Sequence, residues 1–275
     1  MTEKLIMEDA TVLTIRLTPE ELVVLYEHAT DPSIELPYSD LLPEYSEAER
    51  ELATEVARRG LIARELLEPD DEEGYTLHPM ALGIAGGSLL ADSSAVVLSQ
   101  TNTEEIGSIE FHRYGDELFV AHTKLPDGLH EFDLFVDEAT FQQAILGALR
   151  LVDPAELTCP PGELLAELLD RAFDQAREGD AKAVLTILNE SALSEDTALQ
   201  LASTLDGAFA VRTITMLKGG GDTGEEGREL AFLQGGNGLW HLQAIADGED
   251  QALVSLQPIS ATESLEKVQA LIKVS

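Results

Sequence analysis

The chain has 275 residues, of which 44% are hydrophobic and 25% are charged, a composition typical of a globular protein with a full hydrophobic core. Its 52 acidic residues outnumber its 17 lysines and arginines, giving a formal net charge of −35 at pH 7. Because the densest basic cluster is only Arg58, Arg59 and Arg64, this charge excludes nucleic-acid backbones and disfavours anionic membrane surfaces.

The first 45 residues predict a strand, a helix and a loop. Residues 11–17 alternate between apolar and polar side chains, as a strand does. Thr18 and Pro19, followed by two glutamates, then open a helix, since a hydroxyl cap, an early proline and acidic residues all favour a helix N-terminus. Three prolines in residues 31–43 predict a loop.

Two more helices are predicted before residue 90. Ser46 and Glu49 fit a capping box that begins the second helix, and Gly60 is the predicted C-cap that ends it. An acidic turn at 68–74 leads to a short, glycine-weakened helix at 77–86.

The segments 95–152 and 208–272 share one plan of four strands followed by a helix. In both, the first connection is long, the second is a glycine turn and the third contains Asp-Gly, which is a strong hairpin signal. We interpret this pattern as an internal duplication.

The stretch between these segments extends the duplication to the whole chain. A proline-containing linker at 153–162 precedes three predicted helices, at 163–178, 181–190 and 194–205. We therefore predict an α+β fold in which a helix-helix-helix-β4-helix unit occurs twice, with antiparallel meander sheets, flanking helices and pseudo-two-fold symmetry. The predicted halves, 1–152 and 153–275, form one compact body.

No motif in the sequence indicates an enzyme or a cofactor site. The glycines at 219–224 lack the Lys-Ser/Thr ending of a phosphate loop and lie between two strands. No Gly-x-Ser-x-Gly elbow is present. Cys159 is the single cysteine, so neither a disulfide framework nor a thiolate zinc site is expected.

The six histidines do not predict a metal site. If Gly115 and Asp116 form a two-residue turn, Tyr114 pairs with Glu117, His112 with Phe119, and His122 with Ile109. That register puts His112 and His122 on opposite faces of the sheet. We therefore predict no catalytic residues, no cofactor and no metal.

Residues 22–65 resemble the helices of a winged-helix module, but four glutamates in the second helix would repel DNA phosphates. The N-terminus lacks the basic and apolar regions of a secretory signal. The longest uncharged run, 75–91, is shorter than the roughly 20 apolar residues of a membrane span. We expect a cytoplasmic protein that binds neither nucleic acid nor membrane.

Three stretches of the sequence match a known family pattern. They are LTPEEL at 17–22, AER at 48–50 with ARRGL at 57–61, and the hairpin and helix at 238–258 and 265–272. In these stretches the chain resembles the EspG family of cytosolic chaperones associated with type VII secretion. The resemblance covers nearly the full length, and the chain departs from the family in the extreme acidity and in the KGGGDTGEE loop. The resemblance implies a pseudo-two-fold α+β body that binds the helical tip of secreted two-helix proteins.

The predicted function is therefore a non-catalytic chaperone or adaptor for a protein client, as a monomer or a homodimer. We expect the long first connections to contact the client, because long loops on rigid sheets often carry function. The candidate residues are Asn102, Thr103, Glu104, Gly220, Asp222, Thr223 and Glu225.

Three alternatives stay open at this stage. The loops are equally typical of plain solvated hairpin connections. The chain is alternatively a hydrolase-like enzyme with a site built from His112, His241 and acids between the halves, or a self-associating structural protein. The acidity fits either a high-salt or acidic cytoplasm or a basic partner.

Overall fold

The computed structural model describes residues 12–29, 41–42, 45–70, 74–103, 106–152, 157–218, 227–247 and 251–273. The helices in these ranges are α1 (Pro19–Ala29), α2 (Glu47–Ala63), α3 (Pro79–Leu89), α4 (Glu138–Ala148), α5 (Ala166–Arg177), α6 (Ala181–Asn189), α7 (Glu195–Leu205) and α8 (Ala261–Lys273). The strands are β1 (Val12–Leu17), β2 (Leu67–Pro69), β3 (Tyr75–Leu77), β4 (Ser93–Thr101), β5 (Ile106–Tyr114), β6 (Leu118–Lys124), β7 (His130–Phe135), β8 (Gly162–Leu165), β9 (Phe209–Lys218), β10 (Arg228–Gly235), β11 (Gly238–Asp247) and β12 (Gln251–Pro258).

The predicted α+β class is confirmed. The described strands form a ten-stranded antiparallel sheet and a separate two-stranded sheet of β2 and β3. The predicted element order also occurs twice: α1 to α3 precede β4 to β7 and α4, and α5 to α7 precede β9 to β12 and α8. Within the described ranges, no helix has the length and apolar character needed to cross a membrane.

The described chain divides into two compact units. Of the described residues, the first unit contains those within 12–94 and 109–143 together with Lys218, and the second contains those within 95–108, 144–217 and 227–273. The division of the sequence predicted at residue 152 stays a prediction.

The first unit has a sheet in the order β1-β7-β6-β5, covered by helices on both faces. Val120 and Phe132 are fully buried and belong to the core that contains the apolar side chains of α1, α2 and α3. On the opposite face, the ring of Phe141 in α4 packs against Phe119 and Phe135 at centroid distances of 5.1 and 5.6 Å. Because successive side chains of a strand point to opposite faces of the sheet, the same strands contribute residues to both cores.

The second unit has strands in the order β9-β10-β11-β12-β8, with a core formed together with α5 to α7. Trp240 is fully buried in this core, and its Nε1 donates a hydrogen bond of 2.9 Å to Thr204 Oγ1. A Cβ atom at Gly235 would overlap the Thr204 carbonyl, so glycine allows α7 to approach the β10–β11 hairpin this closely. Cys159 is buried against the same core.

The helix start predicted at Ser46 is confirmed, and the helix end predicted at Gly60 is wrong. Ser46 and Glu49 form a reciprocal capping box at the start of α2. The helix continues through Gly60 to a C-cap at Arg64. Gly60 does not adopt the positive φ of a glycine C-cap, and a Cβ there would make only an ordinary contact of 3.4 Å with the Glu21 carboxylate.

The sequence predicts residues 163–165 as the first turn of a helix, and this is wrong, because they belong to the short strand β8. Its residue Leu164 is almost fully buried and pairs with Val254 of β12. Four residues of β8 cannot be distinguished from a buried helical turn by periodicity, so only tertiary pairing settles their conformation.

Replacement of Thr204 by valine tests the buried hydrogen bond to Trp240. Thr204→Val keeps the side-chain shape and leaves the indole N–H without its partner, so we expect a loss of about 1–3 kcal/mol in the free energy of unfolding, measured by urea denaturation. Thr186→Val is the matched control, because Thr186 bonds a carbonyl four residues back in the same way but is exposed. Equal effects of the two substitutions would contradict the assignment.

Candidate functional site

The connection between β5 and β6 is longer than predicted and changes the register of the two strands. Three residues, 115–117, form the turn, and Tyr114 pairs with Leu118 rather than with Glu117. The two-residue turn expected from the sequence is therefore wrong. A shift of one residue moves every side chain of β6 to the other face relative to β5.

The side chains around the turn show why three residues form it. The backbone N–H of Gly115 donates to Asp92 Oδ2 at 2.6 Å, and Arg113 Nε donates to the Gly115 carbonyl at 3.0 Å. The same arginine forms an ion pair with Asp116 at 2.7 Å. Gly115 has a φ of +61°, which glycine adopts without steric cost.

The corrected register brings Glu110, His112 and His122 together on one face of the sheet. Glu110 pairs directly with His122, and His112 pairs with Val120, so the expectation that the histidines lie on opposite faces is wrong. One ligand atom from each of the three residues lies within 4.8 Å of the others. We refer to these three residues as the carboxylate–histidine cluster.

Within this cluster both imidazoles face one carboxylate oxygen. His112 Nε2 lies 3.5 Å and His122 Nδ1 lies 3.6 Å from Glu110 Oε2. His112 is 7% exposed, and its buried Nε2 makes no hydrogen bond within the described chain. A buried ring nitrogen that makes no hydrogen bond, and whose polar contact is a carboxylate oxygen at 3.5 Å, calls for an explanation.

The other ring nitrogen of each histidine is engaged outside the cluster. His112 Nδ1 lies 2.9 Å from Ser94 Oγ, and His122 Nε2 lies 2.8 Å from His130 Nδ1. The ring of His122 also stacks on Phe132, with centroids 4.5 Å apart and planes 4° from parallel. These contacts fix the orientation of both imidazoles.

The electrostatics of the cluster favour an ionised Glu110. The direct contacts of His112 and, next, His122 with this carboxylate, at 3.5 and 3.6 Å, hold the pKa of the Glu110 carboxyl well below its usual range. Burial, followed by the nearby charges of His122 and Lys124, lowers the pKa of His130 to about 4. At neutral pH, His130 is therefore an uncharged neighbour of the cluster.

A second feature of the first unit is an apolar groove between α1 and α2 with a volume of about 800 Å³. Leu52 and Val56 lie one helical turn apart in this groove, and 67% and 62% of their surfaces are exposed. The groove is lined by Thr18, Glu20, Glu21, Tyr45, Glu49, Leu52, Ala53, Val56, Ala57 and Gly60.

The acidic residues that line this groove already have polar partners. Glu20 accepts a hydrogen bond of 2.6 Å from Tyr45, and Glu49 caps α2. Glu21 is buried and forms an ion pair with Arg64 at 3.0 Å. The groove therefore presents an apolar floor with the carboxylates of Glu20 and Glu49 at its side.

The predicted client-contact residues are only partly covered by the structure. Asn102 donates from its amide to the Gly207 carbonyl at 3.0 Å, and the Thr103 hydroxyl lies 2.8 Å from that of Thr101. Asn102 thus connects the end of β4 to the start of β9, and client binding by Asn102 and Thr103 stays a prediction. The other predicted residues, Glu104, Gly220, Asp222, Thr223 and Glu225, lie outside the described residues.

Comparison of the chain with protein-family models and with curated proteins finds no match. The EspG-like character predicted from the sequence therefore stays a prediction, and the geometry of the groove and the cluster must carry the functional argument.

His241, in the second unit, provides a test of pH-dependent stability. Its ring packs against Phe232 at 5.7 Å, and burial, with a smaller effect of Lys267, lowers its pKa. Because the folded state resists protonation, His241 favours folding above its unfolded pKa of about 6.5, and this contribution is lost as pH falls through that value.

We therefore expect His241→Gln to reduce the loss of stability between pH 7 and pH 5, measured from urea-unfolding midpoints at both values. Gln257→Ala is the control, since Gln257 is the exposed pairing partner of His241 and does not titrate. A pH dependence in His241→Gln equal to that of the unaltered protein would show that His241 does not contribute to it.

Proposed function

We propose that the protein is a non-catalytic chaperone or adaptor that holds an amphipathic, basic helix of a client protein in the groove between α1 and α2. The single observation that carries this proposal is the pair of exposed apolar side chains, Leu52 and Val56, at the floor of the groove. The sequence resemblance to the EspG chaperones, whose members bind helical tips, supports the same class of function.

The shape of the groove suits a helical ligand. Amphipathic helices bind in apolar grooves through side chains spaced three, four and seven residues apart. Leu52 and Val56 have the same spacing of four on α2, so a client helix can place matching apolar residues against them. Each apolar side chain that becomes buried contributes about 1.5–3 kcal/mol before the cost of association.

The negative charge of the protein favours basic residues on the polar face of that helix. Glu20 and Glu49 line the groove, and the whole chain has a formal net charge of −35. Such a field attracts cationic partners and repels acidic ones, which increases association rates and specificity. A client helix rich in lysine or arginine on its polar face therefore fits better than an acidic helix.

The proposal can be tested with a fluorescein-labelled, 18-residue synthetic peptide that forms a leucine-lysine amphipathic helix. Fluorescence anisotropy should show saturable binding to the full chain at 0.15 M salt. The double variant Leu52→Ser/Val56→Ser should bind at least tenfold more weakly, because the apolar floor is lost while the net charge is unchanged. Both side chains are exposed, so their replacement leaves the core intact, and circular dichroism verifies the fold.

Two controls separate groove binding from attraction to the acidic surface. A scrambled peptide of the same composition tests whether binding requires an amphipathic helix. Leu82→Ser is the control for loss of an exposed leucine outside the groove, because Leu82 is a half-exposed residue of α3 that does not line it. Equal binding by all variants or by the scrambled peptide would overturn the proposal. Self-association through Leu52 and Val56, seen as a native mass that falls in the double variant, would instead identify a second copy as the occupant.

A further inference from the structure

We propose that Glu110, His112 and His122 bind a divalent transition-metal ion of the zinc class. This inference is independent of client binding in the α1–α2 groove. It rests on the register of β5 and β6, which brings two imidazoles and one carboxylate to a common point on the sheet. Imidazole nitrogen and carboxylate oxygen are ligands that zinc accepts, and two histidines with one glutamate form a known type of three-ligand set.

The distances already approach those of a coordination shell. In a tetrahedral site with zinc–ligand distances of roughly 2.0–2.1 Å, neighbouring ligand atoms lie about 3.3 Å apart. Glu110 Oε2 lies 3.5 Å from His112 Nε2 and 3.6 Å from His122 Nδ1, and all three ligand atoms lie within 4.8 Å. Small side-chain rotations would therefore complete the site without a change in the backbone.

The orphaned nitrogen of His112 is the second observation that points to a ligand. His112 is buried, yet its Nε2 has no hydrogen-bond partner in the part of the chain that the structure describes. This atom is directed towards the carboxylate of Glu110 at 3.5 Å. A metal ion between them would satisfy the nitrogen, whose unpaired burial is otherwise unfavourable.

The surrounding contacts provide the outer support that metal-binding histidines require. In metal sites, the ring nitrogen that does not bind the ion is usually held by a hydrogen bond that fixes the tautomer. Here Ser94 Oγ contacts His112 Nδ1, and His130 Nδ1 contacts His122 Nε2. If both cluster histidines donate through these outer nitrogens, His112 Nε2 and His122 Nδ1 present lone pairs to the ion.

The exposure of the cluster allows an ion to reach it and leaves a coordination position for water. The Glu110 side chain is 44% exposed, whereas that of His112 is 8% exposed. The ion would thus be held by a buried histidine on one side and would face solvent beside Glu110. Three protein ligands with an open fourth position distinguish such a site from a closed structural one.

The test is a titration of the metal-free full chain with Zn²⁺ by isothermal calorimetry in 0.3 M salt, which weakens the diffuse attraction of divalent ions to the acidic surface. We expect one saturable site per chain. Glu110→Gln and His122→Gln should each weaken binding at least tenfold, since an amide is a poorer ligand than a carboxylate or an imidazole. The unaltered protein should also show a Zn²⁺-dependent increase in melting temperature that both variants lack.

Matched substitutions elsewhere control for the loss of a charge or of a histidine. Glu229→Gln removes one exposed carboxylate from β10, and His78→Asn removes one histidine while keeping a good N-cap for α3. Both should bind Zn²⁺ as the unaltered protein does. Circular dichroism at 25 °C confirms that each variant is folded before titration.

The absence of a saturable site would overturn the proposal. Unchanged binding in the double variant Glu110→Gln/His122→Gln would also overturn it, because the ion would then be bound by other acidic groups. X-ray absorption at the zinc edge gives an independent readout, and we expect a shell of nitrogen and oxygen ligands with the scattering pattern of two imidazoles. A shell of oxygen ligands alone would contradict the assignment of His112 and His122.

Discussion

The pairing of β5 with β6 is the constraint on which the architecture of the first unit depends. Side chains on neighbouring strands share a face only in one register, and the three-residue turn at 115–117 selects it. In this register Val120 faces the α1–α3 core while Phe119 faces Phe141 of α4. The same register places two histidines beside Glu110, so it determines both the packing of the core and the composition of the cluster.

The first unit contains two kinds of group in unfavourable surroundings, a buried polar atom and exposed apolar side chains. In the carboxylate–histidine cluster, Nε2 of His112 is buried 3.5 Å from the Glu110 carboxylate and makes no hydrogen bond to any residue that the structure describes. In the groove, apolar Leu52 and Val56 are exposed to water. Each arrangement costs free energy in the isolated chain, and each of the two proposed ligands, an ion in one place and an apolar helix face in the other, would relieve one of them.

Local signals predicted the fold class and the starts of helices, whereas contacts distant in sequence decided the features that sequence reasoning missed. Ser46 and Glu49 identify a helix start because the capping box involves residues only three apart. The end of α2 was misplaced because Gly60 keeps a negative φ and the helix continues to a C-cap at Arg64. The strand register was misjudged because the turn has three residues, 115–117, and its Gly115 N–H is held by Asp92, 23 positions earlier in the chain.

The buried Cys159 has a practical consequence, because it is the only thiol in the sequence. Burial raises the pKa of this thiol and shields it from reagents, and thiol reagents attack the exposed thiolate. Its side chain packs with Leu164 and Trp240 in the core of the second unit. The rate of its modification in native buffer thus reports how often that core opens, so the protein contains its own probe of local unfolding.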